Sequence, residues 1–381
     1  MPLTKMPRRV ALVSSSYHPY FGGVEEHTRH TATRLLAQGH VVEVWTVDRG
    51  EHLGKRTVDG VRVRYLPAPL PASRLPNLAR FALKGPAALA RWSAARREFR
   101  PDVLHVQCFG PNGPYAMLTA AIGRTPLVLS AHGETFMDSD DIFGQSFLMR
   151  HELARALRKS ASVTACSRFV AEDLEERFGA REVDVVPNGV VMSTPLVRAT
   201  AATERSPRQV VAAGRLVQVK GFDLLLRALA RASTMPRLTV LGDGPARREL
   251  TDLVRELGLS GRVDFRGRAS SEEVQQAMAK ADVVVVPSRK EAFGIVVLEA
   301  WASGTPVVVT SRGGPGELVV DGMTGLVVDP EDINALAAAI DRVLSEPSTG
   351  RRLAAGGLNS VQEYTWERVA RDYDRIYAQL P

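Results

Sequence analysis

The run Asp282-Val-Val-Val-Val-Pro287 is followed by Ser288-Arg-Lys290 and then by Glu291-Ala-Phe-Gly-Ile-Val-Val-Leu-Glu299. A short, unbroken β-branched run is the pattern of a strand buried on both faces, as in a parallel sheet flanked by helices. The stretch after it opens a helix near Phe293 to Ile295. Strand, loop and helix in that order form the repeating unit of an α/β fold. The same grammar extends in both directions. Downstream and upstream in this half, strands are expected at Gln209–Ala213, Leu238–Leu241, Val263–Phe265, Pro306–Thr310 and Leu326–Val328, each beside a helical pattern. The front half repeats it: strand Val10–Ser14, helix Val24–Gln38, strand Val41–Val47, then strands near Val61–Leu66, Asp102–Val106, Pro126–Ala131, Ser162–Cys166 and Val183–Val186. Between the two series, Met192 to Pro207 lacks periodicity and reads as a connection. The expected fold class is therefore α/β, with two doubly wound Rossmann-like domains facing a central cleft. The domains span residues 1–190 and 208–365, joined by a linker over 191–207, with a last helical pattern in 366–381.

Composition agrees with two globular domains. The 381 residues exceed what one core usually supports, and the shares of apolar (45%), charged (24%) and aromatic (6%) residues exclude disordered, collagen-like and disulfide-scaffold classes. No run approaches the ~18 apolar residues of a membrane span, because Ile295 to Thr310 is broken by Glu299, Ser303 and Pro306. The start of the chain has only Val10 to Val13 as an apolar core, too short for a signal peptide, so a cytoplasmic location is expected. The two cysteines, Cys108 and Cys166, offer no disulfide framework or metal spacing and read as core residues. The formal net charge is +7, with most of the excess in the front half. Between Arg74 and Arg100 a series of cations faces one acid, Glu98. Two readings stand there: a solvated helix pair interrupted at Gly85-Pro86, or a peripheral contact with an anionic membrane. No nucleic-acid motif accompanies the charge, so no nucleic-acid partner is expected.

In open α/β sheets ligands gather at the carboxyl ends of the strands. After Gln209–Ala213 comes Gly214-Arg-Leu-Val-Gln-Val-Lys-Gly221, which places two cations, Arg215 and Lys220, beside a helix N-terminus. Such cations compensate a diphosphate leaving group as its bond breaks, without a metal. The next strand ends in Gly242-Asp-Gly-Pro245, a strand-to-helix turn. In the Glu291–Glu299 segment one carboxylate lies at the mouth of the helix and the other about two turns inside. The N–H groups near Phe293 to Ile295 make an anion site by geometry and dipole. A carboxylate at Glu299 suits the two hydroxyls of a ribose, and one at Glu291 suits the hydroxyls of a sugar carried on the phosphate.

Together these segments resemble the retaining glycosyltransferases of family 4 (glycosyl transferases group 1), which have the GT-B fold and use nucleotide-diphosphate sugars. The resemblance covers nearly the whole chain and rests on Gly22-Gly-Val-Glu25, His132-Gly-Glu134, Val186-Pro-Asn-Gly-Val190, Gly214 to Gly221 and Glu291 to Glu299. It implies Gly23, Arg215 and Lys220 on the donor phosphates, Glu299 on the ribose, and Glu291 with Ala292, Phe293, Gly294 and Ile295 on the donor sugar. His132 would sit beside the transferred sugar and, with Glu291, is the candidate catalytic residue. Arg268, after the third strand of the second domain, would lie near the base. It further implies a metal-independent, retaining, hexosyltransferase-type transfer in which the leaving phosphate takes the acceptor's proton, with no protein nucleophile and no cofactor. The last helix, from Trp366, resembles those that cross back onto the first domain in this fold. UDP is expected over GDP as the commoner choice of the family.

Rival readings are weaker. Asp138-Ser-Asp140 spells a D-x-D metal pattern, but it follows His132-Gly-Glu134 in an apparent loop, so no metal is expected. An oxidoreductase would need G-x-G-x-x-G after the first strand, where the chain has Ser14-Ser-Ser-Tyr-His-Pro19. A nucleotide-sugar epimerase of GT-B-like fold and a catalytically silent nucleotide-sugar-binding protein remain the alternatives. The acceptor, a small molecule, a glycan or a lipid-linked group, has no decodable pattern in the front-domain loops at Tyr17–Glu26, Arg56–Gly60 and Glu134–Gly144.

Overall fold

The runs named above as strands all form strands. The computed structural model describes residues 7–20, 22–70, 75–137, 142–192 and 208–381. The chain divides into two units, one of Met1–Pro187 with Trp366–Pro381 and one of Asn188–Thr365. Most of the expected linker, residues 193–207, lies outside the described residues, as do Arg74 and Asp138 to Asp141.

The first unit is built on an eight-stranded sheet. Its strands are β1 (Arg9–Ser14), β2 (Val41–Val47), β3 (Lys55–Val58), β4 (Val61–Leu66), β5 (Val103–Gln107), β6 (Leu127–Ala131), β7 (Ser162–Ala165) and β8 (Val183–Val185). Their order is β3-β4-β2-β1-β5-β6-β7-β8, so the strand order reverses at β1, where β2 pairs on one side and β5 on the other. All pairings are parallel except β3 with β4. That edge hairpin corrects the expectation of a loop over Arg56–Gly60. Its turn residues Asp59 and Gly60 have φ of 48° and 77°, the doubly left-handed geometry of a tight hairpin turn.

Two further expectations are corrected here. The basic segment is not a pair of helices: one helix, Leu75–Phe99, runs through Pro86. Pro86 lies on its exposed side, where water can take the carbonyl that the missing N–H leaves unbonded, while Ala88, Trp92, Ala95 and Phe99 are buried at helical spacing. Cys166 is buried, but Cys108 is only half-buried, just past β5 at φ 69°.

The C-terminal helix, Trp366–Ala378, belongs to the core of this unit. Trp366, Val369, Ala370, Tyr373 and Tyr377 form its buried stripe and cluster with Val10, Leu12 and Val103 of the sheet. Large aromatic side chains bury the most apolar surface per residue, so this stripe fastens the end of the chain to the first unit.

The second unit has a six-stranded, wholly parallel sheet. Its strands are β9 (Gln209–Ala213), β10 (Arg237–Leu241), β11 (Val263–Gly267), β12 (Val283–Val286), β13 (Val307–Thr310) and β14 (Leu326–Val328). The order β11-β10-β9-β12-β13-β14 puts its switch point between β9 and β12. All of β12 is buried, as an unbroken valine run requires. The loops leaving β9 and β12 are those that carry Lys220 and Glu291.

Candidate active site

In the second unit, β9 runs through Gly214 into a short turn, Gln218–Lys220, and Gly221 then starts the helix Phe222–Arg231. Gly221 has φ 64°, and a Cβ there would lie 2.0 Å from the carbonyl oxygen of Pro287. Only glycine lets this loop close against the end of β12. The approach brings Lys220 to Glu291, with Nζ 2.6 Å from Oε2, and Ser288 Oγ donates to the same oxygen at 3.0 Å. Arg289 clamps the loop from below. Its backbone N–H donates to Val219 O at 2.8 Å, and its guanidinium donates to Gln218 O at 2.9 Å and to both oxygens of Asp223 at 2.7 Å. Burial alone would raise the Asp223 carboxyl; the paired bonds from Arg289 outweigh it and hold the group below the usual range.

The main chain of Glu291 is also held. Its N–H donates to Arg312 O at 3.2 Å and its carbonyl accepts from Gly314 N–H at 2.9 Å. A Cβ on Gly313, at φ 119°, would meet Glu291 O at 2.0 Å. The Gly313-Gly314-Pro315 loop after β13 thus packs directly on the Glu291–Gly294 loop. Ala292 and Phe293 are buried, and Gly294, at φ 87°, precedes the helix Ile295–Ala302. Ile295 is half-buried at the first position of that helix, and Glu299 is half-buried farther along it. The orphan N–H groups of this helix start therefore lie next to the paired charges of Lys220 and Glu291, an arrangement suited to an anionic group bearing hydroxyls.

Arg215 is exposed in the same loop as Lys220, and its guanidinium has no carboxylate partner among the described residues. The ends of β9, β10 and β11 are stitched by backbone bonds, Gly214 N–H to Leu241 O at 2.9 Å and Gly242 N–H to Gly267 O at 2.7 Å. Arg268 is exposed one residue beyond that seam.

In the first unit, Gly23 is the exposed first residue of the helix Gly23–Ala37. One turn on, His27 is buried with its ring 4.4 Å from that of His132, so the helix start and His132 are neighbours. His132 follows β6 directly. Its backbone N–H donates to Glu134 Oε2 at 2.7 Å, and the other Glu134 oxygen accepts from Phe109 N–H at 2.8 Å. Burial raises the Glu134 carboxyl above the usual range despite those bonds. His132 Nε2 is 3.0 Å from Gln107 Oε1. Burial first, and then the nearby imidazoles of His27 and His105, push His132 well below the usual histidine value, so it is neutral at pH 7.

The structure thus groups Lys220, Glu291 and Ala292 to Ile295 in one unit, with Arg215 on the same loop, and Gly23 with His132 in the other. Sequence reasoning missed Ser288, Arg289 and the Gly313-Gly314-Pro315 loop, though a glycine-rich turn directly after a buried strand was a usable signal. It also missed His27 and Gln107, and gave Glu134 no role beyond its place in the motif, because their roles depend on contacts with residues distant in sequence. No group of three or more His, Cys, Asp or Glu placed to hold a metal occurs among the described residues, and no helix among them is long and apolar enough to cross a membrane.

Residues 196–359 match the family model for glycosyl transferases group 1, and residues 21–193 match that for glycosyltransferase family 4. A glycogen synthase of Mycobacterium tuberculosis is 31% identical over 97% of this chain and 94% of its own length. A D-inositol 3-phosphate glycosyltransferase of Xylanimonas cellulosilytica is 30% identical over 100% of this chain and 98% of its own. Among solved structures, sucrose-phosphate synthase from Thermosynechococcus elongatus superposes with a TM-score of 0.81 at 24% identity, covering 98% of this chain and 99% of that one. HepE of Anabaena, solved in complex with UDP and glucose, gives 0.79 at 21% identity, covering 98% and 100%. Family models, relatives and fold agree: the chain belongs to the family 4 (group 1) glycosyltransferases and has the GT-B fold.

Proposed function

We propose that this glycosyltransferase moves a sugar, with retention of anomeric configuration, from a nucleoside-diphosphate donor to a hydroxyl of its acceptor, and that UDP is the preferred carrier. The observation that carries the reading is the Lys220–Glu291 pair, 2.6 Å apart beside the start of the helix Ile295–Ala302. A cation, a carboxylate and orphan N–H groups at one point supply a partner for each part of a sugar diphosphate. Lys220 and Arg215 take the phosphate oxygens, Glu299 the ribose hydroxyls, and Glu291 with the backbone of Ala292 to Ile295 the donor sugar. Gly23 leaves room for phosphate at its helix start, and Arg268 lies toward the base. HepE of Anabaena, of the same fold, has been solved with UDP-glucose, which supports this donor class.

Chemically, the residues are asked to bind, orient and stabilise charge. The leaving diphosphate gathers negative charge as the glycosidic bond breaks, and fixed cations and N–H dipoles stabilise it more in the transition state than before it. His132, neutral and beside the helix start at Gly23, meets hydroxyls of the substrates. The proton of the acceptor hydroxyl passes to the departing phosphate, so no side chain serves as nucleophile and no metal is required.

Transfer from UDP-glucose to a panel of hydroxylated acceptors, with the product read by proton NMR, tests this. An α-linked product formed equally well in EDTA is expected; a β-linked product, or activity lost in EDTA and restored by manganese, contradicts it. For the helix Leu75–Phe99 we propose peripheral contact with anionic membrane, since Lys84, Arg91 and Arg97 are exposed and Leu83 is 80% exposed among them. Co-sedimentation with anionic but not neutral vesicles is the expected result, and no binding to either opposes it.

A further inference from the structure

Behind His132, the first unit holds a connected polar cluster that the transfer reaction does not by itself require. His105 and Gln107 alternate along β5, so both face the same side of the sheet. Ser130 on β6 and Thr164 on β7 continue the row, with Ser130 Oγ 2.6 Å from Thr164 Oγ1. From the C-terminal helix, Tyr373 and Tyr377 reach into it. Tyr377 Oη is 2.6 Å from His105 Nδ1, and Tyr373 Oη is 2.9 Å from His27 Nε2. His105, Gln107, Ser130, His27, Tyr373 and Tyr377 are all buried. Buried polar side chains cost stability unless every proton finds an acceptor, so a cluster this large dictates where its protons lie.

The protons can be followed from the amide of Gln107. Its Nε2 lies 3.1 Å from Nε2 and 3.3 Å from Nδ1 of His105, over the face of that ring. The His105 nitrogens pair in plane with hydroxyls, Nε2 with Ser130 Oγ at 2.7 Å and Nδ1 with Tyr377 Oη at 2.6 Å, partners that fit either tautomer of His105. With its nitrogen so engaged, Gln107 presents its oxygen to His132 Nε2 at 3.0 Å, and an amide oxygen only accepts. His132 therefore carries its proton on Nε2. Its Nδ1 is left as the basic atom, and the His27 ring, itself tied to Tyr373, packs against the His132 face at 4.4 Å.

We propose that Gln107, and through His27 the tyrosine Tyr373 of the C-terminal helix, are positioning residues that hold His132 as the neutral Nε2–H tautomer and present Nδ1 as a hydrogen-bond acceptor to a substrate hydroxyl. The inference rests on the reading of His132 as a residue that meets substrate. It adds that His132 accepts from the substrate and does not donate to it, and that the end of the chain, far away in sequence, contributes to this. The groups facing His132 are His27 from its helix, His105 and Gln107 from β5, and Glu134 from its own loop; the one carboxylate among them, which would favour the imidazolium, has its oxygens taken by the backbone N–H groups of His132 and Phe109.

The test is a long-range proton–nitrogen NMR spectrum of the full chain labelled with nitrogen-15 histidine, between pH 6 and 8, with His132 assigned from the signal missing in His132→Asn. The Nε2–H tautomer at His132 throughout the range is expected. Gln107→Leu removes the acceptor and should give a mixture of tautomers, with kcat for UDP-glucose turnover falling about tenfold or more and KM changing less. Gln107→Glu offers a carboxylate that stabilises the imidazolium, so His132 should protonate at higher pH and the acid limb of the rate profile should move up by about one unit. Tyr373→Phe, which removes one hydroxyl and keeps the ring, should alter the His27 signals and lower kcat by a smaller factor. An Nδ1–H tautomer in the wild type, or an unchanged His132 tautomer in Gln107→Leu, overturns the inference. Wild-type turnover by His132→Asn would instead remove the role of His132 in transfer, a result separate from the tautomer.

Discussion

Lys220 Nζ and Glu291 Oε2 lie 2.6 Å apart, joining the loop after β9 to the loop after β12 across the switch point of the second sheet. On the proposed reading the two partners serve different parts of one donor, the cation its phosphates and the carboxylate its sugar. Lys220→Ala should therefore weaken UDP binding by about tenfold or more, the worth of a charge-assisted contact. Glu291→Gln keeps the shape and should lower turnover far more than UDP affinity. Calorimetric titration with UDP and initial rates with UDP-glucose separate the two effects.

Gly313 gives a prediction about support, not contact. A methyl group there would overlap the Glu291 carbonyl oxygen at 2.0 Å, and φ 119° strains any other residue. Gly313→Ala should cost about 1–3 kcal/mol and displace Glu291, so turnover should fall although residue 313 bears no functional group. Urea unfolding and initial rates on the same preparation check both parts.

The neutral imidazoles of the first unit make its stability depend on pH. Burial, with neighbouring imidazoles, depresses His105 and His132 well below their unfolded value. As pH falls through about 6.5 the unfolded chain takes up protons that the folded chain refuses, so stability falls, by up to about 1.4 kcal/mol per pH unit for each ring. Glu134, raised by burial, acts in the opposite sense over its own range. Urea unfolding followed by tryptophan fluorescence measures it, since Trp45, Trp92 and Trp366 all lie in the first unit. His105→Gln should flatten the slope by about one ring's share, and an equal slope in that variant would contradict the assignment.

The C-terminal helix is expected to be indispensable to the first unit. Trp366 is 2% exposed, packs edge-on against His27 and stacks on His30. Trp366→Ala should cost about 3–5 kcal/mol by cavity formation. An unfolding midpoint within about 1 °C of wild type would show that the helix contributes little.

Valine-rich runs such as β12 and β13 were legible because strands buried on both faces leave an unbroken apolar signature. β3 was not, because Lys55, Arg56 and Thr57 are exposed at the sheet edge and carry no such signature; the Asp59-Gly60 turn was its only marker. Gly85-Pro86 read as a break because local propensity disfavours a helix there, yet packing of Trp92 and its neighbours carries the helix through. Of the candidate site, the residues in ordered motifs, Lys220, Glu291 and His132, were visible one by one. Their supports were not: Arg289 holds Asp223 from another strand's loop, and Tyr373 reaches His27 from the far end of the chain. Such pairs are contacts of the fold, and local pattern in a sequence does not mark which distant residues will meet.

On the proposed reading, the second unit grips a nucleoside diphosphate through Lys220, Glu291 and Glu299. A thermal-shift panel of UDP, GDP, ADP, TDP and NAD on the wild type and on Glu299→Ala tests it most directly. A ligand at about 100 times its dissociation constant adds roughly 2.7 kcal/mol, which moves the midpoint by several degrees. UDP is expected to shift the wild type most, and Glu299→Ala, with a similar midpoint alone, to lose that shift. A shift by NAD only, or an equal UDP shift in the variant, would contradict it.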